Sequence, residues 1–459
     1  MPGLLNIGAR ALSANYVALQ TIGNNISNAN TPGYSRQSVS LANEGGTFTG
    51  GGFIGRGVRV QTVSRNYDEF MNTEAGTAAS QAAASQTRFE RLQQLENVFP
   101  MGEAGIGYAA GQFFNAFVDV ANAPTSLSAR QVVLGRAEDL AGKFREASDQ
   151  IGAMQNGVTE DLRTTVKSVN DLAQQVATIN QEVARLHGSG HEPNDLLDQR
   201  DQLIRQIGEH IQVSTVMADD GTLGVFVAGG QRLVLSNQAT TLGVSTDGQG
   251  SSVITLTEAG TTKNLDTESI SGGTIAGLLS FQNDDLTSAR SMLGELANAI
   301  VDATSAQQDQ GLTLRDPATI GAPIFTQGGS DPLNVKVALI DPRDIAAASI
   351  GAADPKSNNE NALALVKLGT AAMVNGENIT NAYAKVMTDV GVRVNSAKVH
   401  AQTTAATAQQ TESLRTSASG VNLDEEAARL IQFQQSYQAA AKVLQIAQSI
   451  FQSVLDIGR

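Results

Sequence analysis

The sequence predicts a mainly α-helical chain with one β-rich insert, in which both chain ends return to a shared helical rod. Three observations predict it. Apolar residues recur every seven positions at both ends: Leu5, Leu12, Leu19 and Ile26 open the chain, and Leu423, Leu430, Tyr437, Leu444 and Phe451 close it. That repeat is the stripe of a helix packing along one face. Between residues 134 and 186, apolar and small residues follow spacings that alternate three and four. Residues 211–273 change character and become rich in Thr, Val and Gly. The composition agrees: 4% aromatic residues, no Trp and 45 Gly suit long helices that meet through small side chains.

The first heptad stripe predicts a helix of about six turns that ends near Asn28, because Thr31-Pro32-Gly33 is a breaker followed by a turn residue. Residues 45–57, GGTFTGGGFIGRG, read as loop or short hairpin, and GVRVQTV as a short strand. Helical pattern runs from Tyr67 to Phe99 and stops at Pro100. The central stripe, unbroken, makes a rod about 80 Å long at ~1.5 Å per residue. Gly135, Gly142, Gly152 and Gly157 are expected to bend or break its first half. HGSGHEPND ends it, and Asn194 is expected to cap LLDQRDQLIRQI. In the insert, Asp220-Gly221 and Gly229-Gly230 mark hairpin turns. Helical period resumes at Leu286, residues 311–345 are irregular, and a more polar helix runs from Ile379 to Leu414. The expected division is 1–60 with 420–459 as a terminal coiled coil, 61–210 with 274–419 as a long-helix rod, and 211–273 as the insert. An insert bracketed by helices should be replaceable by a short linker without unfolding the rod.

The net charge of −14 argues against nucleic acid and against an anionic membrane surface. The absence of Cys excludes disulfides, thiolate zinc sites and thiol nucleophiles. No apolar run reaches spanning length. MPGLLNIGARALSANY has neither the basic start nor the apolar run of a cleaved signal. GGGFIGRG lacks the Gly-Lys-Ser/Thr ending of a phosphate loop. His187 and His191 lie four apart, but the intervening Gly-Ser-Gly spoils a helical metal face. His210 and His400 stand alone. Asp424, Glu425 and Glu426 suit the first turn of a helix, where negative charge favours the dipole. Arg56, Arg59 and Arg65 form a basic cluster that either meets an acidic neighbouring subunit or is a solvated face. No nucleophile, base and orienting group fall together, so no catalytic residue, metal site or cofactor is predicted.

The stretch NNISNANTPGY (24–34), placed at the exit of an N-terminal helix, resembles the signature of the axial proteins of the bacterial flagellum, the rod, hook and hook-associated family. SGVNLDEEAARLIQFQQSYQAAAKVLQIAQSIFQSVL resembles the C-terminal helix of that family. Thr21-Ile22-Gly23 departs from the Ala or Ser usual there. GRGVRVQTVSRNYDEFM (55–71) and NDLLDQRDQLI (194–204) narrow the resemblance to the hook-associated branch. The resemblance implies a structural junction subunit between hook and filament, assembled with itself as a ring or helical layer. It implies hook protein below, a second junction protein (hook-associated protein 3) above, and a cytoplasmic chaperone on the C-terminal region. It also implies an extracellular place on the flagellum, reached unfolded through the flagellar type III apparatus without a cleaved signal peptide. The assembly interface it implies is the two heptad stripes together with Asn24, Asn25, Asn28, Asn30, Thr31, Gly33 and Tyr34. Polar groups at a helix exit can bond a neighbour's backbone and stay soluble before assembly. A hook or distal-rod protein is the alternative within the family. An enzyme or adhesin on the insert is the alternative outside it, and residues 211–273 hold no His or Cys.

Overall fold

The computed structural model describes residues 2–49, 52–188, 192–248, 250–328 and 331–457. The first helix, α1 (Pro2–Ser27), ends one residue before Asn28. The chain then folds into β1 (Gln37–Asn43), a tip hairpin of β2 (Thr47–Thr49) and β3 (Gly52–Ile54), and β4 (Val58–Arg65). β1 and β4 pair antiparallel, with a bulge at Ser40/Leu41. Residues 45–57 are therefore a hairpin at the far end of a two-stranded ribbon.

Helix α2 (Glu69–Glu96) begins at Asp68, whose side chain accepts from Met71 N. Next come α3 (Ile106–Asn122) and α4 (Leu127–His187), the latter capped by Ser126. α4 is one helix of 61 residues, so the four glycines do not break it. Gly135, Gly152 and Gly157 face open space. Val133, Leu134, Ala137, Leu140, Ala141 and Phe144 hold the opposite face in the core, and that burial outweighs the ~1 kcal/mol cost of each glycine. Ser148 and Gln155, polar residues at stripe positions, are anchors. Ser148 Oγ donates to Asp331 at 2.7 Å and Gln155 Nε2 to Gly250 O at 2.9 Å.

Helix α5 (Asn194–His210) starts at Asn194, with Pro193 in the capping position. This corrects the expected cap. Asn194 is buried, and its amide donates to Val63 O at 2.9 Å, fastening α5 to β4.

The insert holds a four-stranded sheet, β5 (Val213–Met217) to β8 (Gln238–Ala239) through β6 (Leu223–Val227) and β7 (Gln231–Leu235). A three-stranded sheet follows, in the order β11 (Thr261–Asn264), β10 (Ser252–Glu258), β9 (Thr241–Thr246). The predicted turns join β5 to β6 and β6 to β7, with Gly221, Gly229 and Gly230 at positive φ. The insert, expected to be separable from the rod, packs against α4. Val225, Val227, Leu233, Leu242, Ile254 and Leu256 share one continuous core with the buried face of α4. Asn170 on α4 bonds Leu242 N and O, both at 2.9 Å, and Asn180 bonds Leu223 N and the carbonyls of Leu223 and Ser236.

Helix returns earlier than Leu286. α6 (Gly273–Ser280) runs through a π-helical segment, Phe281–Leu286, into α7 (Thr287–Gln308). Within this segment, buried Gln282 bonds both N and O of Ser252 on β10. Buried Asp285 accepts from Arg88 on α2 and from Arg393. The stretch read as irregular holds a short hairpin, β13 (Phe325–Gln327) with β14 (Val335–Val337), and β12 (Gly311–Leu312), which pairs antiparallel with β15 (Ala348–Ser349) just beyond it. Helices α8 (Glu360–Leu368), α9 (Ile379–Ser419) and α10 (Leu423–Ile457) close the chain. α9 packs along α2, and α10 along α1.

Candidate assembly interface

Helices α1 and α10 lie side by side. Their contact is made largely of small residues. Ala14, Ala18 and Ile22 of α1 are buried, as are Ala440 and Ala447 of α10. A side chain placed at Gly8 would come within 3.1 Å of Leu444 Cγ, so the glycine lets the two helices approach. The sequence stripe sits to one side of this contact. Leu5, Leu12, Leu19 and Ile26 are half-buried, as are Leu430 and Leu444, while Leu423, Tyr437 and Phe451 are exposed. A second apolar line on α10, Val443, Ile446, Ile450 and Val454, also faces solvent.

Where the two helices meet the ribbon, the polar stretch folds into a hub. Asn25 is 1% exposed and all four of its amide hydrogen-bonding sites are used. Its Nδ2 donates to Gln37 O at 2.8 Å and to Glu426 Oε2 at 2.9 Å. Its Oδ1 accepts from Gln37 N at 2.9 Å and from Tyr34 OH at 2.8 Å. Arg36 Nε donates to Glu426 Oε1 at 2.7 Å, Arg36 Nη1 to Glu425 at 2.8 Å, and Arg36 N to Ser419 O at 2.9 Å. Glu426 is 1% exposed and lies in the first turn of α10, as expected, but its bonds go beyond the helix dipole. It is the acceptor that ties α10 to α1 and β1.

Helix α5 supplies the other side of the hub. Gln37 Nε2 donates to Asp195 at 3.1 Å, and Ser35 N to Asp198 Oδ2 at 2.9 Å. Arg65 Nη1 reaches Asp198 at 3.0 Å and Asp201 at 2.6 Å. Arg65, expected at a solvated face or a neighbour, is thus paired within its own chain. Burial opposes its charge, and Asp201 and Asp198 outweigh that, so its pKa is raised. Burial, then Asp195, Asp198 and Glu426, push the Tyr34 phenol up, so it stays a donor. Tyr67, stacked under Arg65 at 4.3 Å, is pushed up to about 12 by burial and Asp201. At Gly33, φ is +83°, and an added Cβ would fall 2.7 Å from Gln202 Oε1. Only glycine fits that turn.

The hub divides the predicted residues. Asn25, Gly33 and Tyr34 face inward, and Asn28 is half-buried against Asn24. Asn24, Asn30 and Thr31 are exposed. Asp195, Asp198, Asp201 and Arg36 were missed, and Arg65 and Glu426 were given other roles. One signal was present, the regular three-residue spacing of the aspartates on α5.

His187 borders Gly221, and His191 lies outside the described residues. His210 is half-buried with its pKa lowered by burial, and His400 is exposed. Among the described residues, no three His, Asp or Glu side chains gather as a metal site, and no helix is long and apolar enough to cross a membrane.

Comparison with known proteins gives three family matches. The model described as flagellar hook-associated protein FlgK helical domain matches residues 92–325. The C-terminal model of the flagellar basal body rod FlgEFG proteins matches 413–457, and the flagella basal body rod protein model matches 5–34. Flagellar hook-associated protein 1 of Salmonella typhimurium is 29% identical, with all of both chains covered. The protein of that name in Bacillus subtilis is 26% identical over 98% of this chain and 97% of its own. The structure of the flagellar hook junction protein FlgK from Burkholderia pseudomallei superposes with a TM-score of 0.69 at 18% identity, covering 75% of this chain and 100% of that one.

Proposed function

This chain belongs to the flagellar hook-associated protein family, and from that membership we propose that it is the structural junction subunit joining hook to filament. It is a structural protein of the flagellum. One observation carries the finer reading: the hub ties both chain ends, α5 and the ribbon into one body, while the apolar faces of α1 and α10 stay half-open. A subunit built to act alone buries such faces. A subunit built to enter a tube leaves them for its neighbours.

On this reading the assembly surface is the two heptad stripes with exposed Asn24, Asn30 and Thr31. The inward residues Asn25, Gly33 and Tyr34 set the geometry of that surface. The subunit forms a ring or short helical layer with hook protein below and hook-associated protein 3 above. It leaves the cell unfolded through the flagellar type III apparatus, with a chaperone on its C-terminal region. No catalysis is part of this function. The terminal coiled coil (1–60 with 420–459), the rod (61–210 with 274–419) and the 211–273 sheets are its working units.

The test is to tag the chain, isolate hooks with filaments attached, and label the tag for electron microscopy. A thin labelled band at the junction is expected. Label along the hook, within the rod or along the filament overturns the reading. Metal analysis after dialysis should find no stoichiometric zinc; about one tightly held zinc per chain would refute the non-catalytic part.

A further inference from the structure

Residues 2–65 hold five arginines and one acid, Glu44, an excess of four positive charges in a chain of net charge −14. The hub consumes Arg36 and Arg65. Of the other three, two share a single carboxylate. Arg10 lies 3.1 Å and Arg59 3.7 Å from Glu44. Arg56 is exposed, and no described carboxylate pairs with it.

Arg10 and Arg56 rim a groove of about 460 Å³ between the first turns of α1 and the tip hairpin, with Leu4, Ile7 and Ile54 in its wall. Beside it the hairpin lifts Phe48 and Phe53 into solvent, edge to face at 5.4 Å, with Phe53 80% exposed. The groove is apolar, exposed and cationic at its rim.

The opposite end of the terminal pair carries the complementary chemistry. The first turn of α10 presents exposed Leu423 and exposed Asp424, the latter without a cation partner among the described residues, next to exposed Glu425. The groove and this turn cannot meet within one chain. Glu426 is bound at Asn25, whereas Leu444 lies against Gly8 near the groove. The 18 residues between Glu426 and Leu444 span about 27 Å of helix.

We propose that the first turn of α10 in one copy seats in the α1–hairpin groove of the next copy. Leu423 packs on Ile54 and Phe53, and Asp424 meets Arg56. The two patches differ, so the contact is head to tail and repeats from copy to copy until it closes as a ring or climbs as a helix. This rests on the assembly reading above and adds the contact that runs between neighbours.

The chain has no cysteine, so Arg56→Cys with Asp424→Cys introduces the only thiols. Oxidising isolated hook–filament assemblies that carry the double variant should yield a ladder of disulfide-linked oligomers; each single variant should stay monomeric on the gel. Monomer alone in the double variant, with the labelled band still at the junction, overturns this contact and leaves the junction reading intact. A band elsewhere overturns that reading instead. Charge exchange supplies a second arm. Arg56→Glu should lower the fraction of filament-bearing cells about tenfold, and adding Asp424→Arg should restore it to within about twofold. Both purified variants should melt with the wild type. Failure of the second change to rescue overturns the pairing.

Discussion

The rod and the terminal pair are both built from long helices, yet they close their contacts with different residues. The rod packs bulky apolar side chains. Phe113 touches Phe114, Phe117 and Phe325 edge to face at 5.0–5.4 Å, and Leu140, Phe144 and Ile151 are buried along α4. The terminal pair closes on Ala14, Ala18, Ala440 and Ala447 and is fastened at one end by Asn25 and Glu426. None of those alanines belongs to the continuous core. The rod is complete within one chain. The terminal pair is held in position but left thin, and its remaining apolar surface is available to other copies.

The contrast fails most visibly if the rod tolerates truncation. Phe113→Ala should cost about 3–5 kcal/mol of unfolding free energy, read by urea titration. A loss below about 1 kcal/mol would mean the rod core is looser than its burial indicates. The hub is the next test. Asn25→Ala strips partners from buried Glu426 and from the backbone of Gln37, at a local cost of about 1–3 kcal/mol. Amide exchange should rise at the end of α1 and the start of α10 while the urea midpoint of the rod holds. A fall in that midpoint would make hub and rod one cooperative unit. Leu444→Ala should cost the free subunit under about 1 kcal/mol, because the side chain is half-buried. If assembly buries it fully, the same change costs about 2–5 kcal/mol in the tube, so filaments should fail to attach and filament subunits should leak into the medium. Normal filaments would remove this stripe from the assembly surface. The smallest effect belongs to the solvated side of the rod. Lys167→Ala breaks an exposed pair with Asp171 and should change stability by less than about 0.5 kcal/mol.

Periodicity made the helices legible, and least so where polar residues carried the structure. The stripe from Leu134 to Leu186 predicted α4 well, because one buried face over many turns leaves a pattern that surface glycines do not erase. The hub was not legible in that way. Asn25 and Glu426 bond across 401 positions, and local pattern carries no information about such a pair. The matching heptad stripes and the resemblance marked both ends as related, but neither named this pair. Asn194 shows the opposite error. Its residue type and position suited a cap, but its amide was needed at Val63, and Pro193 took the place. The 211–273 strands read as separate because their alternation is local. What joins them to α4 is a shared apolar face and the amides of Asn170 and Asn180, which no hairpin signal reveals.

The 401 positions between Asn25 and Glu426 also have a meaning in time. Synthesis starts at the N-terminus, so Asn25, Arg36 and Gln37 exist long before their last partner is made. Until the final helix arrives, the amide of Asn25 lacks one acceptor and Arg36 lacks both of its carboxylates. A prematurely terminated chain could form the rod but never finish the hub. The hydrogen bonds that join the two ends therefore form only after α10 has been made, so this junction is the last part of the subunit to close.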